Sequence, residues 1–382
     1  MIDRITIQNF KAFASLDLPL AGLTLLTGLN GAGKSTLMQA LALLRQSYEA
    51  ALLTRDGGLL LNGELVSLGV GVDVLHEDFH VSRGGRPHIT FSLRQDGNEL
   101  VWRSTYELAR DREADLLPLD MVADDVGRTG LFGPAFQYLR ADRVAPAVTY
   151  EKSYNAAALR SFLGARGEHT ANYLRIHRDR PMTSAVRRPE ARGGTLLDHV
   201  ELWLQEICPG VNVNAEDLTG TDSVLLSYGF FGRTGPASSN RYRPTNVGFG
   251  LTYALPIIVA CLIATPGSVV MLENPEAHLH PRGQIMMARL AAASAAAGAQ
   301  VIVETHSDHV LNGVRLAVKD SLLSPSDVAI HYFDRERATP DRGRRAPHLS
   351  VTSPSLSPDG MLSNWPPGFF DELDRALDRL LS

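Results

Sequence analysis

Apolar and polar positions alternate with a period of two at the start of the chain. Ile2 to Ile7 and Leu16 to Leu20 follow that pattern, and Leu23 to Thr27 is a continuous apolar run. The pattern predicts two half-buried strands and one fully buried strand. The period changes after the glycine-rich stretch Gly28–Gly33. From Ser35 to Tyr48, Leu37, Ala40, Leu41 and Leu44 fall on one face, which predicts a helix. Ile89–Leu93 and Glu99–Tyr106 flank the turn Gln95-Asp96-Gly97-Asn98 and predict a hairpin. Residues 150–210 read as mostly helical and arginine-rich, with Leu196–Ile207 amphipathic up to Pro209-Gly210. Ser223–Phe231 reads as a strand and Gly232–Pro244 as a polar loop.

Late in the chain apolar runs and helical patterns alternate. Leu251–Ala264, Arg282–Ala297 and Asp308–Lys319 are expected as helices, with strands at Val269–Leu272 and Gln300–Glu304. This βα alternation implies a parallel sheet. Leu251 to Leu272 carries no charged residue and resembles a membrane span, but Pro256, Pro266, Gly267 and Ser268 split it into helix, turn and buried strand. Residues 335–367 read as loop, and Phe369–Leu381 as a short amphipathic helix.

Composition narrows the class. The 382 residues are 44% hydrophobic, enough for two or three lobes, and the net charge of −5 argues against a chain that is basic as a whole. Cys208 and Cys261 are the only cysteines, so no disulfide framework is expected. MIDRITIQNF carries charges where a signal peptide needs an apolar run. A cytoplasmic protein without a membrane partner is the expectation.

Three motifs carry chemistry. G-L-N-G-A-G-K-S-T, Gly28–Thr36, satisfies the phosphate-loop pattern between a strand and a helix. Asn30, Gly31, Gly33, Lys34, Ser35 and Thr36 are its candidate nucleotide-binding residues. Lys34 is expected on the β- and γ-phosphates, and the Ser35 hydroxyl on Mg²⁺. The strand Val269–Leu272 ends in Glu273, Asn274, Pro275 and Glu276. Glu273 is the candidate on the metal side. Water activation needs a carboxylate, which Asn274 lacks and Glu276 supplies. The strand ending at Glu304 delivers Thr305, His306 and Ser307, and His306 is a candidate for contacting the γ-phosphate or orienting water. Gly248 and Gly250 precede an apolar helix and are weaker candidates for phosphate approach. His278, His280, His306 and His309 give little support for zinc.

The order of these motifs resembles the RecF, SMC and ABC-type ATPase heads. I-T-I-Q-N-F-K-A-F followed by the phosphate loop carries that likeness. E-N-P-E-A-H-L-H-P and E-T-H-S resemble the OLD-like branch of bacterial AAA-labelled ATPases, and W-P-P-G-F-F-D-E a short C-terminal domain of unknown function. The resemblance implies an α/β P-loop NTPase: an ABC-ATPase-like head with an antiparallel β subdomain and an inserted helical lobe. Its implied segments are 1–145 and 241–335 for the ATPase halves, 146–240 for the helical lobe and 336–382 for an appendage. It implies ATP and Mg²⁺ as cofactors, and a homodimer or higher homo-oligomer closed head-to-tail around ATP. Asn246–Thr252 would be the signature motif, Ala277–Pro281 the D-loop, His306 the switch histidine, and Gln137 a Q-loop metal ligand. Asn274 stands where the family carries its catalytic glutamate, which implies slow hydrolysis or substitution by Glu276. The short tail beyond Lys319 leaves no expected room for a fused nuclease domain.

The expected function is therefore an ATPase that controls a separately encoded effector, a nuclease or toxin, in prokaryotic anti-phage defence or DNA metabolism. A non-catalytic ATP-gated scaffold is the alternative, and a transporter ATPase fits less well. DNA is a partner only through local arginines: Arg187, Arg188 and Arg192, or the run Arg335, Arg337, Arg342, Arg344 and Arg345. That run is interleaved with acids, as a solvated loop would be.

Overall fold

A computed structural model describes residues 1–79, 85–124, 126–182, 186, 193–231, 240–335, 349–366, 369–370 and 378–380. In chain order the first elements are β1 (Ile2–Phe10), β2 (Phe13–Pro19), β3 (Leu23–Gly28), α1 (Lys34–Glu49), β4 (Gly58–Leu60) and α2 (Gly71–Val74). Next come β5 (His88–Gln95), β6 (Asn98–Thr105), β7 (Leu116–Pro118), β8 (Phe136–Leu139), β9 (Thr149–Glu151), α3 (Thr170–His177) and α4 (Leu196–Ile207). The rest are β10 (Val211–Asp217), β11 (Ser223–Phe230), α5 (Phe249–Ile263), β12 (Val269–Glu273), α6 (Pro281–Ala296), β13 (Gln300–Glu304), α7 (Asp308–Lys319), β14 (Val328–Arg335) and β15 (Leu349–Thr352). The chain divides into two compact units. The first takes in 1–133, 326–355 and 362–382, and the second 134–325 and 356–361.

In the first unit β1 lies between β2 and β5 in an antiparallel sheet of order β2-β1-β5-β6. Ile5 and Ile7 are fully buried, as their period-two spacing requires. The predicted hairpin is β5–β6, with Gln95 opposite Asn98 and both Asp96 and Gly97 at positive φ. That is the primed turn which matches strand twist. β3 pairs in parallel with β14, and β14 in antiparallel with β15. Residues 335–367, expected as loop, therefore contain a strand: Leu349–Thr352 pairs at the edge with all four residues half-buried. α1 is more deeply enclosed than a one-faced helix, because Met38, Ala42 and Leu43 are buried beside the predicted face.

His331 on β14 is 1% exposed. Its Nε2 faces the Pro19 carbonyl at 2.8 Å and its Nδ1 faces Ser353 Oγ at 2.7 Å. A carbonyl can only accept, so Nε2 carries the proton and the Ser353 hydroxyl donates to Nδ1. Burial brings the imidazole down to about 4, against an opposing pull from the Pro19 hydrogen bond. The unfolded chain, with its histidine near 6.5, then takes up a proton more readily than the folded one. Stability is complete above that value and falls as pH drops toward 4. We expect wild type to lose up to about 3 kcal/mol across this window that His331→Gln does not lose. Urea unfolding at a series of pH values measures it, and parallel pH profiles for the two proteins would refute it.

In the second unit β12 lies between β13 and β8, parallel to both. Val269, Val270, Met271 and Leu272 are buried, which explains their unbroken apolar run. The uncharged stretch is α5, a turn and β12. No helix among the described residues is long and apolar enough to cross a membrane. The segment 146–240, expected as a helical lobe, holds strands as well as helices. β9, β11 and β10 form an antiparallel sheet beside α3, a single π turn at Asn155–Leu159, and α4. Val211, Val213 and Ala215 are its buried alternate positions. At α4 Thr195 and Asp198 cap each other: Thr195 Oγ1 accepts from the Asp198 amide, and Asp198 Oδ2 from the Thr195 amide. Arg187, Arg188, Arg192, Arg337, Arg342, Arg344 and Arg345 lie outside the described residues, as do most of the loop 232–244 and most of the expected C-terminal helix.

Candidate nucleotide site

The first unit supplies the phosphate loop. β3 ends at Gly28, whose φ is 131°, and an added Cβ would stand 2.0 Å from the Phe333 carbonyl oxygen. Only glycine fits this close approach to β14. The Leu29 amide donates to that same oxygen at 3.2 Å, so β14 shapes the entrance to the loop. The amides of Asn30, Gly31 and Gly33 meet no backbone acceptor. Gly31 has φ 72° with open space on its Cβ side. α1 begins directly behind, with no acidic residue in its first turn to offset its positive end. Lys34 is 3% exposed, and its Nζ donates to the Gly28 and Leu29 carbonyls at 3.0 and 2.7 Å. Ser35 is exposed, and Thr36 is buried with its amide on the Gly33 carbonyl. Free amides, a helix N-terminus and a lysine on one short loop fit a phosphate chain.

The second unit carries the acids. β12 ends at Glu273, whose Oε1 accepts from the Tyr138 hydroxyl and whose Oε2 accepts from the Ala141 amide at 2.9 Å. Burial, with Glu273 alongside, pushes the Tyr138 phenol well above its ordinary range, so it remains a donor. Asn274 has φ 43°, its amide donates to the Glu304 carbonyl at 2.8 Å, and its buried Oδ1 has no hydrogen-bond partner. Glu276 Oε1 accepts from the His306 amide at 2.9 Å, and its Oε2 is buried without a partner. The His306 ring is exposed. Glu273, Asn274, Glu276 and His306 are thus brought together at the ends of the parallel strands β12 and β13.

Two residues of this cluster escaped the motif reading: Tyr138 and Arg143. Arg143 is 2% exposed. Its Nη1 donates to the Glu273 carbonyl at 2.7 Å and the Arg140 carbonyl at 3.1 Å, and its Nη2 to the Asn274 carbonyl at 2.7 Å. Its guanidinium lies 5.4 Å from the Tyr253 ring centre. Burial lowers it to about 10, with Glu276, Tyr253 and Glu273 pulling the other way, so it is charged at neutral pH. The signal lay in Leu139-Arg140-Ala141-Asp142-Arg143, an arginine just past an apolar strand.

Gln137 is placed differently from a metal ligand. It is buried in β8, donating to the Ser161 carbonyl at 2.6 Å and accepting from the Leu163 amide at 3.2 Å. Both ends of its amide are thereby used within the second unit. Gly250 also has a packing reason: an added Cβ would meet the His278 carbonyl at 2.8 Å. Gly248 caps α5 with open space around it. Beside it a hollow of about 510 Å³ is walled by Phe230, Tyr242, Val247, His278 and His280. Among the described residues no three His, Cys, Asp or Glu side chains are grouped to hold a metal ion.

Fold and motifs together define a P-loop ATPase domain whose fold is similar to that of SMC heads. Over 93% of its length this chain resembles 98% of an SMC head solved with the C-winged helix domain of ScpA, at 14% identity and a TM-score of 0.51. An SMC head domain from Thermotoga maritima matches at 12% identity, 92% and 98% coverage and a TM-score of 0.44. An SMC head with an extended coiled coil, bound to a ScpA C-terminal domain and derived from Pyrococcus furiosus, matches at 13% identity, 100% and 99% coverage and 0.48. The chain belongs to the family described as "AAA domain, putative AbiEii toxin, Type IV TA system", which matches residues 23–312. Residues 323–380 match a second family, of unknown function (DUF3696), in agreement with the resemblance seen in Trp365–Glu372. Among curated proteins none matches this chain.

Proposed function

We propose that this chain binds ATP with Mg²⁺ and hydrolyses it, with Glu276 as general base, to control a separate effector protein. The observation that carries the reading is the Glu276 carboxylate. One oxygen is fixed by the His306 amide and the other is buried with its acceptor capacity unspent. Such a group is oriented to take the proton from an attacking water as ADP and phosphate form. Asn274, at the family's usual glutamate position, has no basic oxygen and is fixed instead through its backbone. Ser35 and Glu273 are the proposed holders of Mg²⁺, which would neutralise phosphate charge. Asn30, Gly31, Gly33, Lys34 and Thr36 hold the phosphates in this reading, and His306 meets the γ-phosphate end.

Gly248 and Gly250, the exposed Phe249 and the hollow beside them favour a homodimer or higher homo-oligomer closing over nucleotide through this face. The family's toxin–antitoxin description favours a toxin or nuclease as effector, in prokaryotic anti-phage defence or DNA metabolism, with the chain in the cytoplasm. DNA contact would rest on local arginines.

Glu276→Gln tests the reading. The amide oxygen can still accept from His306 but cannot take a proton. ATP turnover is expected to fall about a hundredfold, with nucleotide affinity retained. Unchanged turnover would remove Glu276 from this role. Asn274 motivates the second reading, an ATP-gated scaffold. A wild type that binds ATP with turnover no higher than Lys34→Ala would favour it.

A further inference from the structure

Glu276 lies in the turn between β12 and α6, and that turn has an uncommon backbone at both ends. Asn274 has φ 43° and His278 φ 62°. The left-handed region is sparsely used by residues other than glycine, although asparagine and histidine tolerate it better than most. Two such residues, with Glu276 midway between them, mark a shape that the surroundings impose. The turn also closes on itself. The Ala277 amide donates to the Asn274 carbonyl at 3.1 Å, and the Leu279 amide to the Glu276 carbonyl at 3.0 Å. Leu279 is buried and anchors the exit.

α5 packs against the far end of this turn. Phe249 and Tyr253 stand one helical turn apart on α5 and so share a face. The His278 ring lies against both, 4.7 Å from the Tyr253 ring centre at 69° and 5.5 Å from that of Phe249 at 34°. Edge-on and tilted contacts of this kind are favourable between aromatic rings. α5 comes this close because residue 250 is glycine: an added Cβ would stand 2.8 Å from the His278 carbonyl oxygen. At the near end Arg143 Nη2 donates to the Asn274 carbonyl, and the same guanidinium lies over the Tyr253 ring. Tyr253 is thus common to both grips. His278 is exposed, so burial alone does not set its conformation.

We propose that His278 is a positioning residue for Glu276. Its ring, gripped by Phe249 and Tyr253, fixes the left-handed end of the turn and with it the carboxylate that meets the His306 amide. The inference rests on Glu276 acting as general base, as proposed above. A base must stay within hydrogen-bond reach of the water it deprotonates. One Glu276 oxygen accepts from the His306 amide and the other has no hydrogen-bond partner. With so few bonds of its own, the side chain depends on the turn for its aim.

The test is His278→Asn in the full chain. Asparagine suits the left-handed backbone but brings no ring, so the turn can form without its grip. The His306 amide reports on Glu276 directly, because it donates to Oε1. Its hydrogen exchange, followed by NMR without nucleotide, is expected to speed up about tenfold in the variant. ATP turnover should fall about tenfold at unchanged nucleotide affinity. In a Glu276→Gln background the same substitution should cost no further turnover, since residues that act through one group are not additive. Unchanged exchange at His306 overturns the inference even if turnover falls, because the imidazole then acts by another route. Equal turnover losses with and without the Glu276 carboxylate overturn it too. If Glu276→Gln alone keeps wild-type turnover, the general-base reading fails, and exchange at His306 still decides whether His278 holds the turn.

Discussion

Lys34→Ala is expected to lower ATP turnover about a thousandfold, with the fold retained. Lys34 is an almost completely buried ammonium on the first turn of α1. It is held against the Gly28 and Leu29 carbonyls. Those carbonyls are weak competitors for a phosphate oxygen, since a charged acceptor makes the stronger hydrogen bond. In the proposed reading the lysine would transfer to the β- and γ-phosphates with little loss, and its charge would act where negative charge gathers in the transition state. Alanine leaves the amides of Asn30, Gly31 and Gly33 in place, so nucleotide binding falls less than turnover. Phosphate release at saturating ATP measures the effect, and thermal unfolding checks the fold. Turnover within tenfold of wild type would refute the P-loop as the seat of the reaction.

Arg143→Ala is expected to cost about 3 kcal/mol of stability in the second unit and to reduce turnover as well. The three carbonyls of Arg140, Glu273 and Asn274 would lose a charged donor in a buried setting, at about 1–3 kcal/mol for each group left unsatisfied, partly recovered by water entry. The Glu273–Asn274 peptide would lose the grip that orients both the Glu273 carboxylate and the turn leading to Glu276. Arg143→Lys keeps the charge but not the planar fork that spans two carbonyls. Less than half of the loss should therefore be restored. Chemical unfolding of the three proteins reads this directly. A loss under about 1 kcal/mol for the alanine variant would show that the guanidinium does not hold this turn.

Much of this was legible in the sequence because periodicity and motif coincided. Gly28–Thr36 lay between a strand and a helix on both readings, and the apolar run Val269–Leu272 became a strand buried on both faces. β10 was legible but overlooked. Val211, Val213 and Ala215 alternate, but they directly follow an arginine-rich helical stretch, and only the strand after them, Ser223–Phe231, stands out by pattern. β15 gave little to see, since a four-residue half-buried edge strand has almost no pattern. Arg143 and Tyr138 could not be found by motif, because their roles depend on carbonyls and a carboxylate more than a hundred residues away in the chain. Gln137 shows the reverse. Its residue type suited a metal, and only the positions of Ser161 and Leu163 reveal where its amide is spent.

The pairing of β3 with β14 has a consequence for biosynthesis. Gly28 and Leu29 take their shape from Phe333, which the ribosome adds some three hundred residues later. A nascent chain that already carries every motif through His306 still lacks the strand that seats its phosphate loop. The loop is therefore expected to take its full shape only after β14 has been made.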